Sequence, residues 1–209
     1  MKNYITFIII CALSLCLSEV SRYLLDLNGL LYKSLMGQLN KEQVDSIFEG
    51  VLKWQFLGYL LIPITIFLKT HAIALVLGVG SFFLDVKIAY RKLWNIVLKA
   101  EFIFLFVGVM KLVWFGFIRT DFGLEEVETF YPLSMLSMIG DIALEPWYVY
   151  PLQVINAFEI VYWIVLALLL DKALNMKKGN LGIKIVATSY GPALLIWVVA
   201  VMFFTLNMS

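Results

Sequence analysis

The stretch LQVINAFEIVYWIVLALLL (152–170), DKALNMKKGNLGIK (171–184) and IVATSYGPALLIWVVAVMFFTL (185–206) decides the fold class. The first run holds nineteen residues with one ionisable group, Glu159, and the last holds twenty-two with none. A helix crosses a hydrocarbon core with about 20 apolar residues, so both runs are long enough. Between them Lys172, Lys177, Lys178 and Lys184 form a short basic loop, of the kind that stays on the cytoplasmic side. The reading is a membrane hairpin within an all-α, polytopic transmembrane helical bundle.

Composition agrees. Of 209 residues, 62% are hydrophobic and 15% charged, against about 25% charged in soluble domains. The net charge of +1 conceals a segregation, with acidic residues in 121–128 and basic ones in two other loops, and no patch suited to nucleic acid. Cys11 and Cys16 have neither a metal-ligand spacing nor a disulfide pattern, and read as small buried hydrophobes. No cofactor or metal is expected.

Upstream, 51–68, 72–90 and 102–118 supply three further apolar crossings, the first two separated by Lys69-Thr70-His71, read as a tight polar turn. Pro63 predicts a kink in the first. With the hairpin this makes five crossings. Residues 4–17 add fourteen apolar residues that fit a tilted helix, a helix packed on the bundle, or a sixth crossing completed up to Val20. Residues 19–36 carry apolar groups at helical spacing and read as an interfacial helix, and Asn40 with Gln43 makes a capping box for the next one. The organisation is therefore 1–50, hydrophobic and amphipathic interfacial helices, and 51–206, the transmembrane bundle. An outer segment at 119–151 is acidic at first and closes on Trp147, Tyr148 and Tyr150, an aromatic anchor at the membrane surface. Placing both basic loops inside puts the amphipathic region inside with them, and the acidic loop and the C-terminus outside.

Ionisable groups within crossings are the best pointers to a site, since each costs about 2.5–3.5 kcal/mol at a helix centre. Lys111 and Glu159 each lie seven residues from the outer end of their runs, about 10 Å deep, and are expected to approach one another or to share a polar cavity. Asn156 and Tyr162 would support them. A structural ion pair or a snorkelling lysine is one reading, and an ion or proton site is the other. Asp85, Lys87, Lys99 and Glu101 read as interfacial charge. Asp141 and Glu145 read as a solvated turn, with cation binding or lipid modification the sharper alternatives. Ser189-Tyr190-Gly191-Pro192 should loosen the last crossing. No His-Glu-x-x-His, no Gly-x-Ser-x-Gly and no phosphate-binding glycine loop is present.

The run from Asn156-Ala157-Phe158-Glu159 to Leu170, then Asn175-Met176-Lys177-Lys178-Gly179 and a final apolar helix, resembles the ending of prokaryotic Yip1-like membrane proteins. The resemblance implies a bundle of about five crossings with a cytoplasmic N-terminal side and no common catalytic site. The Asp-Leu-Tyr-Gly-Pro signature of the eukaryotic members is absent, and no functional residue carries over. The expected function is that of a non-enzymatic accessory or scaffold subunit in a bacterial inner membrane. Its partners would be the lipid bilayer and other membrane protein subunits or further copies of itself. The alternative is a small transporter or channel subunit.

Overall fold

The computed structural model describes residues 2–139, 144–175 and 180–208, and these contain helices and no strand. In chain order they are α1 (Lys2–Leu24), α2 (Leu27–Met36), α3 (Lys41–Phe83), α4 (90–118), α5 (Leu124–Thr129), α6 (Met135–Ile139), α7 (Pro146–Val154), α8 (Ala157–Ala173) and α9 (181–208). Helix α4 ends in a π-helical stretch, Trp114–Ile118, and α9 contains another, Val186–Tyr190. Three helices are long and apolar enough to cross a membrane: Asn3–Leu24, Lys41–Phe83 and Leu181–Met208.

The expected turn at Lys69-Thr70-His71 does not form. Nothing in LKTHA breaks a helix, and α3 runs through it for 43 residues, about 64 Å at 1.5 Å per residue. Thr70 is fully buried rather than looped out. The capping box at Asn40 and Gln43 forms as the sequence predicts, and the helix continues through Pro63. The boundary expected at 50/51 falls inside α3. Beyond Val44, the fully buried residues of α3 are Thr70, Ile73, Ala74, Leu77, Gly80 and Ser81, one face of its last turns.

Helix α4 is the centre of the bundle, with α1, α3 and α8 packed around it. Asn3 fixes the start of α1 to the start of α4, donating to the Arg91 carbonyl (2.8 Å) and accepting from Asn95 Nδ2 (2.9 Å). Further along, Gly108 leaves room for Leu17 and Gly116 for Leu24, so α1 and α4 run parallel. Helix α3 runs antiparallel to α1, with Phe67 against Phe7 and Tyr59 beneath Arg22. Helices α8 and α9 form the expected hairpin. Gly182 packs against the Ala167 carbonyl and its N–H donates to Asp171 Oδ1 at 2.7 Å.

Losing the turn at 69–71 reverses the chain upstream of it. Leu25, Leu112, Phe115 and Val127 share a buried cluster, joined by Leu27 and Leu30 of α2 and by Phe122 and Phe130. The amphipathic segment therefore packs on the acidic segment 121–129, at the same end of the bundle. The sequence reading had placed the two at opposite ends, because it counted one crossing too many between them.

Candidate functional site

The ion pair inside the bundle is Lys69–Glu101, with Lys69 Nζ 2.6 Å from Glu101 Oε1. Continuity of α3 brings Lys69 there: as part of a helix rather than a turn, it stands beside Thr70, where the buried face begins, and reaches Glu101 of α4. Glu101 is 6% exposed, and the interfacial placement expected for it is wrong, because α4 starts at Tyr90 and buries it three turns in. Lys69 Nζ also lies over the Phe104 ring, 3.9 Å from its centroid, and 6.0 Å from that of Tyr162. A cation over an aromatic face gains from the ring quadrupole as well as from the carboxylate.

The second oxygen of Glu101 is buried and has no hydrogen-bond partner among the described residues, and the same holds for the Tyr162 hydroxyl. A buried polar atom left unpaired costs about 1–3 kcal/mol, more when charged. Glu101 lines a crevice of about 290 Å³ between α1, α3 and α4. Ser14, Ser18 and Ser21 line it from α1, at a spacing of four and three residues that puts them on one helix face. Leu17, Ile66 and Leu105 complete an apolar wall. From Ser14 to Ser21 the serines climb about 10 Å toward the end of α1 that holds α2.

Glu159 belongs to a second polar group. Its Oε1 accepts from Tyr190 Oη at 2.8 Å and Trp163 Nε1 at 3.0 Å. Tyr190 reaches it from the π-helical stretch of α9, whose cause is local. Pro192 has no N–H, so the ladder slips and Gly191 N bonds to the Val186 carbonyl, five residues back. The crossing loosens as expected, by widening rather than by breaking. The two groups meet at Tyr162, whose ring is 4.9 Å from Phe104 and 5.6 Å from Tyr190.

Lys111 and Glu159 do not form a pair. Lys111 makes no ion pair among the described residues, and neither residue lines the crevice. Asn156 caps α8, its Oδ1 accepting from Glu159 N at 2.8 Å, so Glu159 lies in the first turn of a helix that begins five residues later than the apolar run. Asn156 thus supports the backbone at Glu159, and Tyr162 stands between the two polar groups without bonding to either. Of the aromatic residues expected at the membrane surface, Trp147 stacks on Tyr148 at 3.6 Å between centroids, and Tyr150 Oη accepts from Trp197 Nε1 at 2.8 Å. Burial, reinforced by the negative charge of Glu159 and Glu101, pushes the Tyr131 phenol of the outer segment up to about 12.

Asp141 lies outside the described residues, as do Lys177 and Lys178. No group of three or more His, Cys, Asp or Glu that could hold a metal occurs among the described residues. The signal that would have found Lys69 is the uninterrupted helix-forming sequence on both sides of it. Glu101 then follows as the acidic residue on the facing helix. No family model, curated protein or solved structure matches the chain.

Proposed function

We propose that the chain is a non-enzymatic integral membrane protein that passes a small solute or ion through the site formed by Lys69 and Glu101. The observation that carries this reading is the Glu101 carboxylate, 6% exposed inside the bundle, with one oxygen on Lys69 and the other buried and unpartnered, in a residue that also lines the crevice shared with Ser14, Ser18 and Ser21. Ionisable groups held inside a bundle mark substrate and ion pathways. Five crossings, α1, α3, α4, α8 and α9, fit this architecture: α8 with 17 residues sits at the short end of the spanning range, and α4 carries Arg91 and Lys92 at its start, Lys99 and Glu101 further in, and Lys111 toward its end. Lys87, Arg91, Lys92, Lys172 and Lys184 gather at one end of the bundle. The other end holds Glu42, Asp45, Glu49, Asp121, Glu125 and Glu126 together with Arg22, Lys33, Lys41 and Arg119. Five basic residues against four is the Lys/Arg bias by which the positive-inside rule favours the first end as cytoplasmic, with the N-terminus there and the C-terminus opposite.

The test is reconstitution in liposomes with flux of monovalent cations and small charged solutes followed in the native protein, E101Q and K69M. Flux that falls at least about tenfold in both variants, with the helical content unchanged, supports the reading; flux indifferent to both overturns it.

The accessory reading rests on a different feature. Between Val44 and Thr70 no residue of α3 is fully buried, and around Gly50 and Gly58, eight residues apart on one face, nothing lies within 4 Å of where a side chain would begin. Small residues let a neighbouring helix approach closely, so this stretch suits a partner helix within the membrane. Cross-linking from a cysteine at Gly58 to a second polypeptide in native membranes would support it, and exclusive labelling by lipid-borne probes would count against it.

A further inference from the structure

We infer that a strip along the start of α4, formed by Arg91, Lys92, Asn95 and Lys99, holds the headgroup of an acidic phospholipid, independently of the transport reading. Helix α4 is covered on nearly every side where it begins. From Leu93 to Glu101 every residue is buried except Asn95 and Lys99. These two lie four apart, and Arg91 and Lys92 precede Asn95 by four and three, so all four share one helix face. Arg91, Lys92 and Lys99 are exposed. The opening of the central helix onto its surroundings therefore carries three cations and an amide, and no carboxylate.

The charge of the strip is not answered from within the bundle. The ion pairs among the described residues are Arg22–Glu19, Lys69–Glu101 and Arg119–Glu126, and none involves the strip. Of the carboxylates toward this end, Glu101 is buried against Lys69 and Asp171 accepts from Gly182 N, which leaves Asp85, exposed on the connection before α4. Lys87, two residues later, offsets that charge. Guanidinium and ammonium groups are donors only, so the group that completes the strip is an anion rich in acceptor oxygens. Phosphate fits, because Arg offers it a planar fork and Lys a point charge.

The surface beside the strip is apolar, and it selects a lipid over a free phosphate. Asn3 joins the start of α1 to the strip, donating to the Arg91 carbonyl and accepting from Asn95 Nδ2. Directly after it Tyr4, Ile5 and Ile8 are 62%, 54% and 62% exposed on one face of α1, and the Tyr4 ring lies edge-on to Trp94 at 5.6 Å. The Asn3–Asn95 amide pair holds this apolar face and the cations in register. Lys99 stands nine residues past Tyr90, about 14 Å along the helix, at a depth where an unpaired ammonium is costly. Its stem lets the head reach back toward the membrane surface, where lipid phosphates lie. A phosphate on Arg91 and Lys99 with its acyl chains along α1 uses both halves of the surface, and inorganic phosphate uses one.

The experiment titrates the full chain in mild detergent with phosphatidylglycerol and phosphatidylcholine, with and without excess inorganic phosphate, and follows retained lipid by native mass spectrometry. Phosphatidylglycerol should be retained at least about tenfold more tightly than phosphatidylcholine, and R91Q/K99Q should remove the preference, since two cations beside anionic headgroups are together worth about that factor. K172Q/K184Q takes the same charge from the same end but off the strip, and should keep the preference. Helical content and elution volume check that each variant folds. K99Q alone should weaken retention and K99R, which keeps the charge, should restore it, so the site stays testable if R91Q/K99Q does not fold. Equal retention of the two lipids overturns the inference. So does a preference lost to the same degree in K172Q/K184Q, which would mean a diffuse basic end and no site. Displacement of the lipid by inorganic phosphate would make the ligand a soluble anion and overturn its assignment to the membrane.

Discussion

Lys69 Nζ and Glu101 Oε1 lie 2.6 Å apart across 32 residues of sequence, and this contact ties the longest helix of the protein to its central one. Breaking such a pair from one side strands the other charge, which is why single substitutions are harsher than joint ones. K69M and E101Q should each lower stability in detergent by about 2 kcal/mol, less than a fully buried pair because Lys69 is partly exposed, and K69M/E101Q should recover part of the loss. A double-mutant cycle on thermal unfolding measures the coupling. Losses that simply add would mean that the two groups are not energetically paired.

Gly182 makes a second case in which one atom decides packing. A Cβ there would overlap the Ala167 carbonyl, backbone that cannot swing aside, while the Gly182 N–H is bonded to Asp171. G182A should open the α8–α9 hairpin at a cost of about 1–3 kcal/mol, and G123A, where nothing lies within 4 Å, should cost far less. Thermal shift of the two variants side by side is the check, and equal shifts would contradict the packing described.

Much of this was legible in the chain. The packing of the two hairpin helices, the Asn40 cap and the loosening before Pro192 follow from local chemistry, and each forms. The turn at 69–71 was the costly misreading. Three polar residues between two apolar runs look like a boundary, but Lys, Thr and His are all compatible with a helix, and neither Gly nor Pro interrupts it. Whether Lys69 leaves or stays depends on Glu101 on another helix, a tertiary partner that no window of sequence displays. Once that extra crossing is counted, the side of every earlier segment inverts, and Lys111 becomes the only visible candidate for Glu159.

The corrected topology is directly measurable. In a background with Cys11 and Cys16 replaced by alanine, cysteines at Ser34 and Glu125 should label with an impermeant maleimide from one side of the membrane. Cysteines at Lys87 and Lys172 should label from the other side only; all four are exposed positions. Ser34 labelling together with Lys87 would restore the turn at 69–71 and would separate α2 from the acidic segment it packs on.

Tyr131 carries a pH signature of the polar interior. Burial first, and then the charges of Glu159 and Glu101, hold its phenol protonated up to about 12, against 10 when free. Between those two values the unfolded chain gives up the proton and the folded one keeps it. The folded state binds more protons there, and stability must fall as pH rises through that window. Tyrosinate absorbance of the native protein minus that of Y131F should isolate an ionisation near pH 12, and the stability of Y131F should decline less steeply over the same range. E159Q takes away one of the charges that raise the phenol, so in that variant the late ionisation should move to lower pH. An ionisation unmoved by E159Q would mean that the Glu159 charge does not reach Tyr131.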